Sequence, residues 1–161
     1  FQSSRVTDFL IEKDRLFARL NLDANEFELY ETVFERLVPS TPRPDLVIVG
    51  LGGNDMLRGL EPAVTRANLA AILAELRKRG IETMLTGMLA APNMGVDYAE
   101  AFNPIYPDLA KQFEVRLYPF LLDGVLGNPK FLVPDGTHPN ELGVHAIVSR
   151  ITPMIADALA E

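Results

Sequence analysis

Two stretches of this chain carry residues able to do chemistry. The first is Asp135-Gly136-Thr137-His138-Pro139-Asn140. A carboxylate three residues before an imidazole, in a turn, can accept the ring Nδ1–H, which fixes the tautomer and leaves Nε2 free as a general base. The pair is half of a nucleophile-activating triad. Taken alone, the same residues also read as a turn or capping aspartate and a surface-loop histidine, the commoner occupation of an isolated Asp-x-x-His. The second stretch is Gly50-Leu51-Gly52-Gly53-Asn54-Asp55, directly after the apolar run Leu46-Val47-Ile48-Val49. A run without polar alternation fits a strand covered on both faces, as in a parallel sheet. Open α/β sheets bind ligands beyond the carboxyl ends of their strands, so the glycine turn presents Asn54 at a candidate site.

Other readings of these residues are weaker. Gly50 to Asp55 could be taken for a dinucleotide fingerprint, but Asp55 occupies the place of the third glycine and the following helix starts too late. His145 could be grouped with Asp135 and His138 as a metal cluster, yet it reads better as an ordinary helix residue, and no metal is predicted. Tyr98, Phe102 and Tyr106 are more often core than acyl pocket at such spacing. The serines are Ser3, Ser4, Ser40 and Ser149. Ser3 and Ser4 follow no strand, Ser40 sits among prolines and Ser149 lies inside a helix, so the nucleophile is unknown.

The elements that must position these residues follow from periodicity. Phe9, Leu16, Phe17 and Leu20 predict a surface helix over residues 7–22, with Asp8, Glu12, Lys13 and Asp14 on its other side. A second helix, capped by Asp23 or Asn25, aligns Phe27, Tyr30, Val33, Phe34 and Leu37. Pro39, Pro42 and Pro44 then space the chain into residues 46–49, read as the central strand. Glu61 and Pro62 open a helix with Leu69, Ile72, Leu73 and Leu76 on its buried stripe. Arg77, Lys78 and Arg79 suit its last turn and Gly80 its exit. Residues 81–89 form the next strand, so strand, helix and strand make a βαβ unit with parallel strands. A loop at 90–97 carries Pro92, Asn93 and Gly95 beyond that strand's carboxyl end. Helix follows from about Tyr98, interrupted at Pro104 and Pro107 and resumed through Leu109, Ala110 and Phe113. Residues 115–118 are a third strand, 120–126 a helical turn and 127–139 a long connection. A closing helix from about Asn140 places Val144, Ile147, Val148, Ile151 and Ile155 on its buried face.

The 161 residues suit one domain, 1–161, with a core of its own. The absence of cysteine excludes disulfides and thiol catalysis and fits either cytosol or periplasm. A net charge of −7 without a Lys/Arg run repels phosphate backbones, so no nucleic-acid partner is expected. No stretch reaches the roughly 18 consecutive apolar residues of a membrane span, and nothing near Phe1 reads as a signal peptide.

Gly52-Gly53-Asn54-Asp55 together with Asp135 to Asn140 resembles two of the four sequence blocks of the SGNH hydrolases, also called GDSL-type esterases. The resemblance covers about residues 44–159. Leu57-Arg58-Gly59-Leu60, Pro92-Asn93-Met94-Gly95 with Tyr98, Ile105-Tyr106-Pro107 and Leu117-Tyr118-Pro119-Phe120 are similar to the arylesterase and acyl-CoA thioesterase I branch. The resemblance implies a three-layer α/β/α flavodoxin-like fold with a parallel sheet. It implies hydrolysis of carboxylic esters or acyl thioesters without a cofactor, and a periplasmic or secreted location. By it, Asn54, with Gly53 beside it, would serve the oxyanion, His138 would be the base oriented by Asp135, and the loop of Pro92, Asn93 and Gly95 would border the substrate.

The family's Gly-Asp-Ser-Leu block has no counterpart here, and its glycine-bearing second block is replaced by Leu22-Asp23-Ala24-Asn25. Residues 1–43 therefore read as a truncated or replaced amino-terminal part. The chain alone is expected to be near-inactive, and a non-catalytic remnant or binding domain of the same fold is the alternative. A sheet lacking its first strand is also expected to have the gap covered by residues 1–43 or by a second copy of the chain.

Overall fold

The computed structural model describes residue 18, residues 22–37 and residues 43–160. The chain divides into two compact units, Phe1–Arg43 and Pro44–Glu161. The helix expected over 7–22 falls almost wholly outside the described residues. In the first unit, helix α1 (Ala24–Leu37) is capped by Asp23: its Oδ1 accepts from the backbone N–H of Asn25 and of Glu26, each at 2.9 Å. The Glu26 carboxylate in turn accepts from the Asp23 N–H at 3.0 Å, so Asp23 and Glu26 cap each other reciprocally and three backbone donors are satisfied. Phe27, Tyr30 and Phe34 follow one another along the helix with ring centroids 6.0 and 5.5 Å apart.

The second unit has an α/β fold. Its strands β1 (Leu46–Val49), β2 (Glu82–Thr86) and β3 (Arg116–Tyr118) form a sheet ordered β1-β2-β3. Both pairings are parallel, with Val49 opposite Leu85 and Thr86 opposite Tyr118. Among the described residues the central strand is thus β2, not β1. Adjacent strand residues point to opposite faces, and Met84 and Leu85 are both 0% exposed, so both faces of β2 are covered. The expectation of two-sided burial fails for β1, where only Val49 is buried and Ile48 is 42% exposed. Burial of a strand's two faces depends on what packs above and below it, and apolar composition alone does not supply that cover.

The short helix α2 (Gly53–Leu57) follows β1, and α3 (Pro62–Lys78) makes the crossover to β2, with Pro62 in its first turn. Helices α4 (Val96–Phe102) and α5 (Ile105–Phe113) lead to β3, the break between them falling at Asn103-Pro104. Pro107 is tolerated because it lies in the first turn of α5, where its missing N–H would have no intrahelical acceptor. The core joins Val49, Met56, Leu69, Leu73, Leu85, Phe102, Ile105, Tyr106, Leu109 and Phe113. β2 ends at Thr86 rather than at residue 89. Its direction is still held by Gly87, whose N–H donates to the Tyr118 carbonyl at 2.7 Å and whose carbonyl accepts from the Leu121 N–H at 3.0 Å.

The closing helix α6 (Glu141–Ala160) buries only part of the expected stripe: Ile151 is buried and Ile147 and Ile155 are half-buried. Gly143, Ile151 and Ala158 are buried, whereas Val144 and Val148 are exposed. Apolar residues stand on more than one side of this helix, so composition alone does not choose the covered side. By length and composition α6 could cross a membrane. Arg150 in its middle, however, donates to the Asp123 carbonyl and pairs with the Asp123 carboxylate, and Glu141 and Asp157 lie near its two ends.

Candidate active site

The loop bearing Asp135 and His138 is built from its base upward. Leu132 and Pro139 form an antiparallel bridge, and the Val133 N–H donates to the His138 carbonyl at 2.9 Å. The Gly136 N–H closes the turn on the Val133 carbonyl at 3.0 Å, with Gly136 at a φ of +71°, a region that side chains disfavour. Asn140 anchors the base. Its side-chain amide donates to the carbonyls of Lys130 and Leu132 at 2.9 and 3.2 Å, while its Oδ1 caps α6 by accepting from the Gly143 N–H at 3.0 Å.

Within this frame the Asp135 carboxylate uses both oxygens. Oδ1 accepts the backbone N–H groups of Thr137 and His138 at 2.8 and 3.0 Å, and Oδ2 stands 2.6 Å from the His138 Nδ1. The His138 N–H, then the Thr137 N–H and the His138 ring, hold the Asp135 carboxyl at a pKa of about 2, below the ordinary 3.8. Asp135 is therefore ionised at any ordinary working pH, and as an acceptor it favours the ring tautomer that carries its proton on Nδ1. Nε2 is left as the basic atom, and the His138 side chain is 68% exposed, open to a reactant.

The second group lies where β1 ends. Gly52, at φ +99°, starts α2 and accepts the Met56 N–H at 3.0 Å. First-turn amides of a helix have no intrahelical acceptor, so the N–H groups of Gly53 and Asn54 are directed outward, and Asn54 is exposed. A methyl group at Gly53 would stand 3.2 Å from the Met88 side-chain terminus, so this turn packs against the exit of β2. Because β1 and β2 are parallel and in register, their carboxyl ends lie on one edge of the sheet.

Pro92 and Asn93 lie in a 3-10 helix, Pro92–Met94, followed by Gly95, in the segment that leaves β2 at that same edge. This segment is tied back by the Ala90 N–H, which donates to Asn103 Oδ1 at 2.8 Å. The structure thus joins Asp135 to His138 directly and sets Gly53, Asn54, Pro92, Asn93 and Gly95 on two neighbouring exits of the sheet. His145 stays on α6, where its carbonyl accepts the Ser149 hydroxyl at 2.8 Å. Ser149 is the only serine among the described residues, and that bond occupies its proton. Ser3, Ser4 and Ser40 lie outside them.

Sequence reasoning missed the side chains that hold these segments in place: Asn140 and Asn103, the Thr65 hydroxyl on Asp55 at 3.1 Å, and the hydroxyls of Tyr98 and Tyr106. Asn140 alone had a local signal, an amide three residues before a buried glycine at a helix start.

Comparison with known proteins bears on this arrangement. The sequence model of the GDSL-like Lipase/Acylhydrolase family matches residues 24–146. Thioesterase 1/protease 1/lysophospholipase L1 of Escherichia coli (strain K12) is 40% identical over 119 residues, which are 74% of this chain and 53% of that protein. The arylesterase of Vibrio mimicus is 38% identical over 96 residues, 60% of this chain and 48% of that protein. The chain thus spans about half the length of the curated relatives it matches. Among solved structures, AlinE4, an SGNH-hydrolase family esterase, matches with a TM-score of 0.58 at 44% identity, covering 78% of this chain and 67% of that one.

Proposed function

The chain belongs to the GDSL-like lipase/acylhydrolase family, and from that premise we propose that it supplies the base and oxyanion groups of a serine hydrolase acting on small carboxylic esters or acyl thioesters. The observation that carries the reading is the 2.6 Å contact between Asp135 Oδ2 and His138 Nδ1. In the proposed mechanism His138 Nε2 takes the proton of a serine hydroxyl as its oxygen attacks the acyl carbon. The resulting oxyanion is bound by the Asn54 side-chain amide, with the Gly53 N–H beside it. Collapse of the tetrahedral intermediate breaks the bond to the alcohol or thiol, which leaves with the proton from His138. Water then repeats the sequence on the acyl-enzyme and releases the acid.

The loop of Pro92, Asn93 and Gly95 borders the substrate in this reading, and no cofactor takes part. The proposal includes a periplasmic or secreted location, which fractionation of cells expressing the natural protein tests. The function itself is tested on the natural protein with p-nitrophenyl butyrate and an acyl thioester. Turnover abolished by a serine-directed phosphonate and by His138→Ala is expected. A natural protein that binds such acyl compounds but never turns them over would instead support a non-catalytic binding domain of the same fold.

A further inference from the structure

Two tyrosines bracket the segment that carries Gly53 and Asn54. The Tyr106 hydroxyl donates to the Leu51 carbonyl at 3.0 Å, just before the glycine turn, and the Tyr98 hydroxyl donates to the Leu60 carbonyl at 2.8 Å, just after α2. Between them, Asp55 Oδ2 accepts the Thr65 hydroxyl at 3.1 Å. The donors come from α3, α4 and α5, the helices that build the core. Phe102 packs between the two tyrosines, its ring centroid 5.6 Å from Tyr98 and 5.8 Å from Tyr106.

Tyr106 is 1% exposed. A phenol so deeply placed is costly without an acceptor, and the Leu51 carbonyl is that acceptor. Its tip also shapes the turn: a methyl group at Gly52 would stand 2.2 Å from the Tyr106 oxygen. Burial first, and then the Asp55 carboxylate, push the Tyr106 hydroxyl well above the usual phenol range. It therefore remains a donor at every working pH.

We propose that Tyr106, with Tyr98 as its counterpart at the other end, is a positioning residue of the hydrolytic site, holding the 51–60 segment so that Asn54 stands where the oxyanion forms. The inference rests on the reading of Asn54 as an oxyanion donor. Such a donor contributes when it is aligned to the oxyanion beforehand, so a loosened turn lowers turnover more than substrate binding.

The test is Tyr106→Phe, which keeps the ring and removes the hydroxyl. In the natural protein kcat should fall by about 5- to 20-fold with KM within about twofold. In an Asn54→Ala background the same change should cost nothing further, because Tyr106 acts through Asn54. In the 161-residue chain, amide exchange at Met56 and Leu60 should quicken by about tenfold while Leu73 and Leu85 keep their rates. Unchanged kcat, equal losses in both backgrounds, or acceleration spread evenly to Leu73 and Leu85 would overturn the proposal. Full kcat in Asn54→Ala alone overturns the oxyanion reading instead, and the exchange measurement then decides whether Tyr106 holds the turn. Should Tyr106→Phe not fold, Tyr98→Phe, on the half-buried partner, carries the same measurements.

Discussion

Asp135 grips His138 twice, through its backbone N–H at 3.0 Å and through its ring Nδ1 at 2.6 Å. One carboxylate therefore sets both the loop conformation and the imidazole tautomer. Asp135→Asn separates the two roles. The amide oxygen can still accept the backbone N–H groups, but its NH2 then faces Nδ1 and favours the wrong tautomer. In the natural protein this variant should lose on the order of 10⁴-fold in kcat with the loop intact, as an aspartate of this kind does in a triad. Stopped-assay kinetics with a crystal structure of the variant would check it, and a loss below about tenfold would show that Asp135 is a turn residue only.

The same bonds make a pH prediction. The Asp135 carboxyl is held at about 2 against an ordinary 3.8. A depressed folded-state value means that its contribution to the loop is complete above the ordinary value and is lost as pH falls from about 4 through about 2. An NMR titration of the Asp135 carboxyl carbon should give a midpoint near 2. A midpoint near 4 would show that the three bonds do not persist in solution.

How much of this was legible in the sequence depended on range. Asp135 and His138 are three residues apart and their contact is local, so spacing alone suggested it. The buried stripe of α3, with Leu69 and Leu73, was legible because helical periodicity records which side is covered. The strand order was not legible. Leu46 to Val49 read as central because apolar composition does not say how many partners a strand has, and among the described residues it has one. The hydroxyl bonds of Tyr98 and Tyr106 cross 38 and 55 residues, and a tyrosine on an apolar stripe looks the same whether or not its oxygen holds a turn.

The 161-residue chain on its own should show near-background esterase activity. It has no Gly-Asp-Ser block, and the Ser149 hydroxyl is engaged within α6. Loss of the nucleophile from a serine triad leaves kcat lower by on the order of a million-fold. Ordinary turnover of p-nitrophenyl butyrate by this chain, with phosphonate labelling located by mass spectrometry, would contradict the expectation and point to Ser3, Ser4 or Ser40.

The outer edge of β1 has no strand beside it among the described residues, and Ile48 on β1 is exposed. Open parallel edges invite pairing. We expect residues 1–43 or a second copy of the chain to cover this edge, giving slow exchange of the outward-facing β1 amides, with sedimentation equilibrium telling a monomer from a dimer. A monomer in which those amides exchange freely would remove both covers from consideration.

Asn54 gives the sharpest test of the site, because its proposed role and its bland alternative predict opposite kinetics. As a helix-start residue after Gly52, Asn54 would contribute only to local order, and Asn54→Ala would leave kcat unchanged at modest cost in stability. As an oxyanion donor, it bonds a charge that exists only in the transition state and the tetrahedral intermediate. Removing it should then lower kcat of the natural protein by about a hundred- to a thousand-fold and leave KM nearly unchanged. His138→Ala should cost more, since it removes the base from both halves of the reaction. Steady-state kinetics on the two variants, with circular dichroism to verify folding, separates these outcomes. Full kcat in Asn54→Ala would show that the residue serves the turn alone.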